Sequence, residues 1–306
     1  MTRGAGASRA SLALLVCLFV GAKPAPPAVL AFAALPDADE SALLRIDAAG
    51  EGRELARVGH AAGFLPRGAV SRKGLVAAVV VPEGGDLVAP AELVTIDAQG
   101  TIRLLDDRAR ALQRPMFLGD GRLLSLRATP GPERQRADGR ALLTTELASV
   151  LLWPLDAGAP AVVWTHDGLW LDLVAPTGDG FVALAVAQDG RSTLEERDLQ
   201  GALRSRIDLG LLPVRDLAVV PGEDRAISFV SAGPAAASLV RADLRAGRLS
   251  IVASALPPDA SGRVSLAGRA LLSRWEGAAR TSPSLLLSDG SVVWWTYGVG
   301  VVQRHD

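Results

Sequence analysis

One pattern recurs six times along this chain and constrains its fold more than any other feature. Each copy is a short apolar segment that ends at or just before an aspartate, then a turn containing glycine, then a second apolar segment. The six aspartates are Asp47, Asp97, Asp156, Asp198, Asp243 and Asp289. Each copy is typical of a β-hairpin, in which the aspartate starts the turn by accepting a backbone N–H. We therefore expect turn-starting residues here and not a ring of carboxylates.

The spacing of these hairpins predicts a particular all-β architecture. The intervals between successive aspartates are 50, 59, 42, 45 and 46 residues, close to the ~40–50 residues of one propeller blade. A polar insertion around residues 129–140 accounts for the longest interval. Between these hairpins lies a second strand–turn–strand unit, with turns near residues 71–74, 119–121, 176–180, 221–224 and 267–268. Two hairpins per period predict a six-bladed β-propeller of four-stranded antiparallel blades.

The ends of the chain predict how this ring closes. The first blade offers three strands, at residues 29–34, 42–47 and 53–58, and one strand remains at residues 299–303 after the sixth hairpin. We expect that C-terminal strand to complete the first blade, because closure removes the exposed edges of an open sheet. The innermost blade strands are predicted to be small and apolar, and the strand after each to be buried on both faces.

The N-terminus has the layout of a secretory signal peptide. Arg3 and Arg9 precede an apolar run at residues 11–22, which ends in the small residues Val20-Gly21-Ala22. We therefore predict a signal peptide at 1–22, one propeller domain at 23–306 and a periplasmic or extracellular location; an uncleaved anchor is the alternative. Twelve apolar residues are too few to span a bilayer, so no span is expected after cleavage. Lipoprotein anchoring through Cys17 is not expected, because bulky residues precede it.

Composition argues against several classes of function. The formal charge of −1 gives no reason to expect nucleic acid as a partner. The three histidines, His60, His166 and His305, stand alone in the sequence, and the single cysteine lies in the predicted leader. We therefore expect no metal and no cofactor. No nucleophile elbow or phosphate loop occurs, so no catalytic residue is assigned.

The turns of the second unit carry a family resemblance. Pro176-Thr177-Gly178-Asp179 and Pro221-Gly222-Glu223-Asp224 resemble the turns of the exported TolB-type, WD40-like (PD40-like) six-bladed propellers. The resemblance covers residues 28–306, and the usual Pro-Asp-Gly turn of the family is approximated without being reproduced. It implies a binding or scaffolding role in the cell envelope and supplies no individual site residue.

Propeller geometry indicates where a site would lie. Loops that join the outer strand of one blade to the inner strand of the next share one face, around the channel mouth, with loops that join the middle strands. Two such loops are rich in binding chemistry: His166, Asp167 and Trp170 in one, and Arg274, Trp275 and Glu276 in the other. Ordinary packing of the tryptophans between blades is the alternative interpretation.

These features leave three functions open. The leading hypothesis is a non-enzymatic, monomeric extracytoplasmic propeller that binds a protein partner or an envelope polymer through the channel-mouth face. The alternative is a hydrolase or lyase acting on a sugar or lactone, with His166, Asp167, Arg274 and Glu276 at the same mouth. A third possibility is a blade array that spaces a larger assembly without a specific pocket.

Overall fold

The computed structural model contains β-strands and no helices among the residues it describes. These are residues 29–34, 39–46, 52–71, 73–85, 90–111, 113–129, 134–135, 141–142, 147–154, 158–220, 223, 225–232, 236–256, 261–264, 270–273, 285–286, 292–295 and 302–305. No helix in these ranges has the length and hydropathy needed to cross a membrane. The predicted signal peptide and Cys17 lie outside the described residues.

The strands follow one another at short intervals along the chain. Those of the N-terminal half are β1 (Val29–Ala34), β2 (Glu40–Ile46), β3 (Gly52–Gly59), β4 (Arg67–Val70), β5 (Val76–Val80), β6 (Ala91–Ile96), β7 (Ile102–Ala109), β8 (Met116–Phe117), β9 (Leu123–Thr129), β10 (Arg134–Gln135), β11 (Ala141–Leu142) and β12 (Leu147–Trp153). Those of the C-terminal half are β13 (Ala161–His166), β14 (Trp170–Pro176), β15 (Gly180–Val186), β16 (Ser192–Asp198), β17 (Leu203–Gly210), β18 (Val214–Val219), β19 (Ala226–Ala232), β20 (Ala237–Asp243), β21 (Arg248–Leu256), β22 (Ser261–Val264), β23 (Ala270–Ser273), β24 (Leu285–Leu286), β25 (Val292–Trp295) and β26 (Val302–His305).

The strands pair into four-stranded antiparallel units of the predicted kind. Four such units lie in the described part of the chain: β4–β7, β8-β9-β12-β13, β14–β17 and β18–β21. A single residue pair, Ala109 with Arg127, joins the first two along one edge. The predicted insertion forms the small hairpin β10–β11 between β9 and β12. The all-β prediction and the four-stranded blade are thereby confirmed.

The units stack on one another like wedges. Along β5 every residue is buried, and alternate side chains point to opposite faces of a strand. Val76, Ala78 and Val80 pack against residues of β2 and β3, whereas Ala77 and Val79 pack against residues of β9 and β12. Burial on both faces explains the unbroken apolar run that the sequence shows here.

The next interfaces repeat this arrangement. In β15, Phe181 and Ala183 pack against the preceding unit, through β9 and β12, while Val182 and Leu184 pack against β19 and β20 of the following one. The first strands of successive units also contact one another in the order β4, β8, β14, β18 and β22. The first strands therefore form a common hub, which is the arrangement of a propeller.

The repeated aspartates start turns, as predicted. Asp97 Oδ1 accepts the backbone N–H groups of Gln99 and Thr101, each at 2.9 Å, and these bonds to the charged form lower the pKa of its carboxyl. Asp198 and Asp243 accept N–H groups of their own turns in the same way. The other three aspartates of the repeat lie outside the described residues.

The predicted closing pair between the C-terminal strand and the first blade is not among the strand pairs of the described residues. The last strand, β26, pairs antiparallel with β25, with Val292 opposite His305, and the described pairs of β1 are with β2. We expected the C-terminal strand beside the first blade. The number of blades and the closure of the ring therefore stay predictions.

Candidate functional site

Strand order places one set of loops around the hub. Successive strands of an antiparallel unit run in opposite directions, so the loops between units emerge at the same end as the loops between second and third strands. We call this end the mouth face. Its inter-unit loops include residues 60–66, 110–111, 113–115, 167–169 and 211–213. Two of them touch directly, because Arg110 Nη2 donates a hydrogen bond to the Leu169 carbonyl at 3.4 Å.

Four charged side chains converge at the mouth end of the hub. Asp172 is the third residue of the innermost strand β14, and it lies within electrostatic range of Arg114, Arg67 and Arg110. Arg67 begins β4, while Arg110 and Arg114 belong to the loop before β8. We call these four residues the hub cluster. They come from three separate segments of the chain and from three neighbouring units.

The acidic residue of the hub cluster, Asp172, has an unusual pKa. Asp172 is partly buried on the innermost strand β14. Burial raises the pKa of Asp172 to about 6, and the positive charges of Arg114 and then Arg67 oppose this rise without cancelling it. Burial also lowers the pKa of Arg67, as does the neighbouring Arg114, while Asp172 raises it. Carboxyl groups with raised pKa values are typical of functional sites.

Trp170, one of the residues singled out from the sequence, adjoins this cluster. The Arg110 guanidinium lies 5.0 Å from the centre of its indole, within cation–π range. Trp170 and Asp172 are two residues apart on β14, so both point to the same side of that strand. The structure therefore brings Trp170 together with the hub cluster.

His166 has a packing role. Its Nε2 lies 3.1 Å from the Val186 carbonyl oxygen, and its ring lies 5.6 Å from that of Trp164. Gly168 is buried against it, since a Cβ at Gly168 would come within 2.0 Å of His166 Nε2. The imidazole is thus enclosed by its own loop and by β15.

The other predicted site residues divide into two groups. The Asp167 side chain is exposed, and its backbone carbonyl accepts a hydrogen bond from Gln188 Nε2 at 2.5 Å. Arg274, Trp275 and Glu276 lie outside the described residues. Within the described ranges, no three His, Cys, Asp or Glu side chains are grouped so that they could hold a metal ion.

A separate cavity of about 260 Å³ opens on the opposite face, between the β8–β9 and β14–β15 turns. Its two carboxylates are already paired with arginines, Asp120 with Arg122 and Asp179 with Arg204. Glycines form much of its lining. The carboxylates of this cavity are therefore already neutralised by arginines.

The raised pKa of Asp172 predicts a measurable stability effect. Its native pKa of about 6 exceeds the ordinary 3.8, so the folded state holds this proton more tightly and stability falls as the pH rises from 3.8 through 6. We expect Asp172→Asn to raise the free energy of unfolding at pH 7.5 by about 1–3 kcal/mol. The gain should shrink toward pH 4 in urea titrations. Asp167→Asn, an exposed carboxyl in the adjacent loop, is the matched control, and an Asp172→Asn chain less stable at pH 7.5 would refute the assignment.

Comparison with known proteins adds information on the fold. No known protein-family profile matches the sequence, and no curated protein matches it. Among solved structures, TolB from Acinetobacter baumannii matches with a TM-score of 0.52 and 14% identity over 90% of this chain. The chain spans 62% of that TolB chain.

Two further solved structures match over nearly their whole length. An oligogalacturonate lyase in complex with manganese matches with a TM-score of 0.55 and 11% identity, over 91% of this chain and 95% of that chain. A nidogen/laminin complex matches with a TM-score of 0.51 and 10% identity, over 91% and 93%. These matches confirm the resemblance drawn from the turns. The chain has the fold of a TolB-like β-propeller.

Proposed function

We propose that this chain is a non-enzymatic extracytoplasmic β-propeller that binds a protein partner or an envelope polymer through its mouth face. One observation carries the proposal. The loops between units present leucines to solvent beside a cationic hub. These are Leu65, Leu169, Leu211 and Leu212, with exposed fractions from 42 to 69%. We call them the rim leucines.

The position of the rim leucines supports this function more than their number does. Single exposed apolar side chains are common on protein surfaces, and this chain has others on its outer strands, such as Leu104, Leu203 and Ile251. The rim leucines differ because they share one face with Trp170 and three arginines. Tryptophan and arginine contribute most of the energy in protein interfaces, and apolar side chains around them exclude water.

The remaining parts of the proposal concern the cellular location and the architecture of the protein. The leader-like residues 1–22 support export to the periplasm or the exterior, and the repeat supports six blades in one domain at 23–306, closed as a ring. We propose that the chain acts as a monomer. Arg274, Trp275 and Glu276 belong to the proposed mouth face by their position in the loop that precedes the sixth hairpin and joins the middle strands of its blade.

Substitution of the rim leucines tests the proposal. A triple variant with Leu65→Ser, Leu169→Ser and Leu211→Ser should capture its partner from an envelope extract at least tenfold less well, because each change removes apolar contact area. The matched control changes three equally exposed outer-strand residues, Leu104→Ser, Leu203→Ser and Ile251→Ser. Equal capture by both variants, each with a wild-type melting temperature, would contradict the proposal.

A sugar or lactone lyase or hydrolase is the second candidate, and Asp172 is the observation that favours it. A carboxyl with a pKa near 6 can accept or donate a proton at neutral pH, and the exposed Arg67 and Arg114 could bind an anionic group beside it. His166 is less suited to this role, since its Nε2 faces a backbone carbonyl. Turnover of oligogalacturonides or lactones that is lost in Asp172→Asn would favour this candidate over binding alone.

A further inference from the structure

We propose that the hub cluster binds a side-chain carboxylate of an acidic peptide segment in the protein partner. Apolar residues of that segment then contact the rim leucines. This inference rests on the proposed function and narrows it to one partner chemistry. It is carried by four independent features of the mouth face: charge, solvent access, an unsatisfied amide and the neighbouring apolar surface.

The charges of Arg67, Arg114 and Asp172 in the hub cluster do not balance. Two guanidinium groups act on one carboxyl, so these three residues carry one excess positive charge when Asp172 is ionised and two when it is protonated. The groups whose charges act on Asp172 are Arg114, Arg67 and Arg110. Some other arginines of the described chain are paired with carboxylates, as Arg127 is with Asp106 and Arg197 with Glu195. A bound anion would supply the missing negative charge.

The geometry leaves this charge open to a ligand. Arg67 and Arg114 are exposed, and they lie close enough that the charge of Arg114 lowers the pKa of Arg67. Two guanidinium groups held near one another are a common arrangement for binding a carboxylate, since each can donate two parallel hydrogen bonds. A bound carboxylate would also relieve their mutual repulsion.

The loop that carries Arg110 and Arg114 also holds an unsatisfied buried amide. Gln113 is 1% exposed, and neither Oε1 nor Nε2 has a hydrogen-bond partner among the described residues. A buried polar atom without a partner costs about 1–3 kcal/mol. Such groups are rare and need an explanation, which is often a functional role. The loop that carries the two arginines is therefore less stable than it would be if the Gln113 amide were hydrogen-bonded.

The rim leucines favour a peptide over an acidic polysaccharide. A peptide carries carboxylates and apolar side chains on one strand at about 3.3 Å per residue, so it can reach both the hub cluster and the rim. A polyuronate carries carboxylates without apolar side chains and would leave Leu65, Leu169 and Leu211 uncovered. The mixed character of the face thus matches an acidic segment interspersed with leucine-like residues.

Fluorescence anisotropy with defined probes tests this inference on the full mature chain. The probe is a labelled decapeptide of alternating Glu and Leu, compared with its Gln/Leu and Glu/Ser counterparts and with trigalacturonate as competitor. We expect the Glu/Leu peptide to bind at least tenfold more tightly than either counterpart, with affinity falling as salt rises. Arg67→Gln with Arg114→Gln should weaken binding at least tenfold. The matched control is Arg245→Gln with Arg248→Gln, two exposed arginines at the β20–β21 turn on the opposite face.

The pH dependence gives a second readout in the same titration. Between pH 7.5 and 5.5 Asp172 gains a proton while the glutamates of the probe stay ionised. Affinity for the Glu/Leu peptide should therefore rise several-fold as the pH falls. In Asp172→Asn the affinity should be high at both pH values. Unchanged affinity in the wild-type chain would count against the hub cluster as the binding site.

The other outcomes separate this inference from the proposed function. Equal binding of the Glu/Leu and Gln/Leu peptides, or no loss in the arginine variant, overturns the carboxylate site. Binding of trigalacturonate without binding of peptide replaces the acidic peptide by an acidic polysaccharide. If no probe binds while the rim variant still loses its envelope partner, this inference fails and the proposed function stands. If the Glu/Leu peptide binds while the rim variant keeps its partner, the proposed function fails instead.

Discussion

Gly100→Ala or Gly201→Ala will destabilise the fold by about 2–5 kcal/mol, the largest effect we expect from a single methyl group in this chain. Both glycines have φ near +83°, where a Cβ is strained. At Gly100 a Cβ would also come within 2.1 Å of the Leu55 carbonyl oxygen, and at Gly201 within 2.2 Å of the Val163 oxygen. Both are backbone carbonyls of the bulged residues that the registers of β2–β3 and β12–β13 skip, so only a shift of the backbone would relieve either clash.

The two clashes have the same structural origin. Leu55 lies in β3 and Val163 in β13, the outer strands of the units that precede β4–β7 and β14–β17. The turns started by Asp97 and Asp198 therefore insert their glycines against the preceding wedge, so that blade contact and turn geometry depend on the same residue there. The same contact is expected at equivalent positions when blades are related to one another by rotation about a central axis.

Gly247→Ala is the matched control for this prediction. Gly247 also has a positive φ, +61°, but a Cβ there meets no atom within 4 Å. Its cost should be only the backbone strain of about 1 kcal/mol. Urea unfolding of the three variants measures the difference, and an equal loss in all three would contradict the packing of turns between blades.

Arg127→Ala should cost about 3–5 kcal/mol, because it leaves a buried carboxylate without its partner. The Asp106 side chain is 3% exposed. It accepts hydrogen bonds from Arg127 Nε and Nη2, both at 2.9 Å. Asp106 lies in β7 and Arg127 in β9, so this pair bridges two adjacent units beside the single backbone pair that joins them.

Two control variants separate the cost of leaving a buried carboxylate unpaired from the cost of losing an ion pair. Arg191→Ala breaks an exposed pair with Asp208, 3.0 Å apart, and should cost less than about 1 kcal/mol. The double variant Asp106→Asn with Arg127→Leu removes the buried charge and should recover part of the stability that Arg127→Ala loses. If Arg127→Ala unfolds at the same urea concentration as Arg191→Ala, the buried bridge does not hold the two units together.

The fold was predictable where local chemistry repeats. Aspartate, glycine and proline mark each turn, and they do so because only certain backbone angles close a hairpin. The buried second strands were also predictable, since burial on both faces removes polar alternation. Closure of the ring stays a prediction, because residues 299–303 resemble any short apolar strand and nothing in such a segment specifies its neighbour.

The candidate site was only partly predictable, and for a geometric reason. His166 and Asp167 attracted attention as a histidine beside a carboxylate, but neighbours in an extended segment point to opposite sides. The hub cluster was missed because Arg67 and Asp172 are over a hundred residues apart and come together only through the contacts between first strands. One signal existed: Asp172 interrupts the apolar run Trp170-Leu171-Asp172-Leu173-Val174, and a lone carboxyl in an innermost strand costs stability unless it has a use.

Site-specific photo-crosslinking tests the central claim that the mouth face binds a partner. A benzoylphenylalanine is placed at position 169 on the rim or, as the matched position, at 203 on the outer strand β17; both leucines have an exposed fraction of 49%. In the envelope, the chain with the probe at 169 should yield one specific crosslinked protein, and the chain with the probe at 203 should not. Crosslinks of equal yield from both positions, or from 203 alone, would contradict the mouth face as the binding surface.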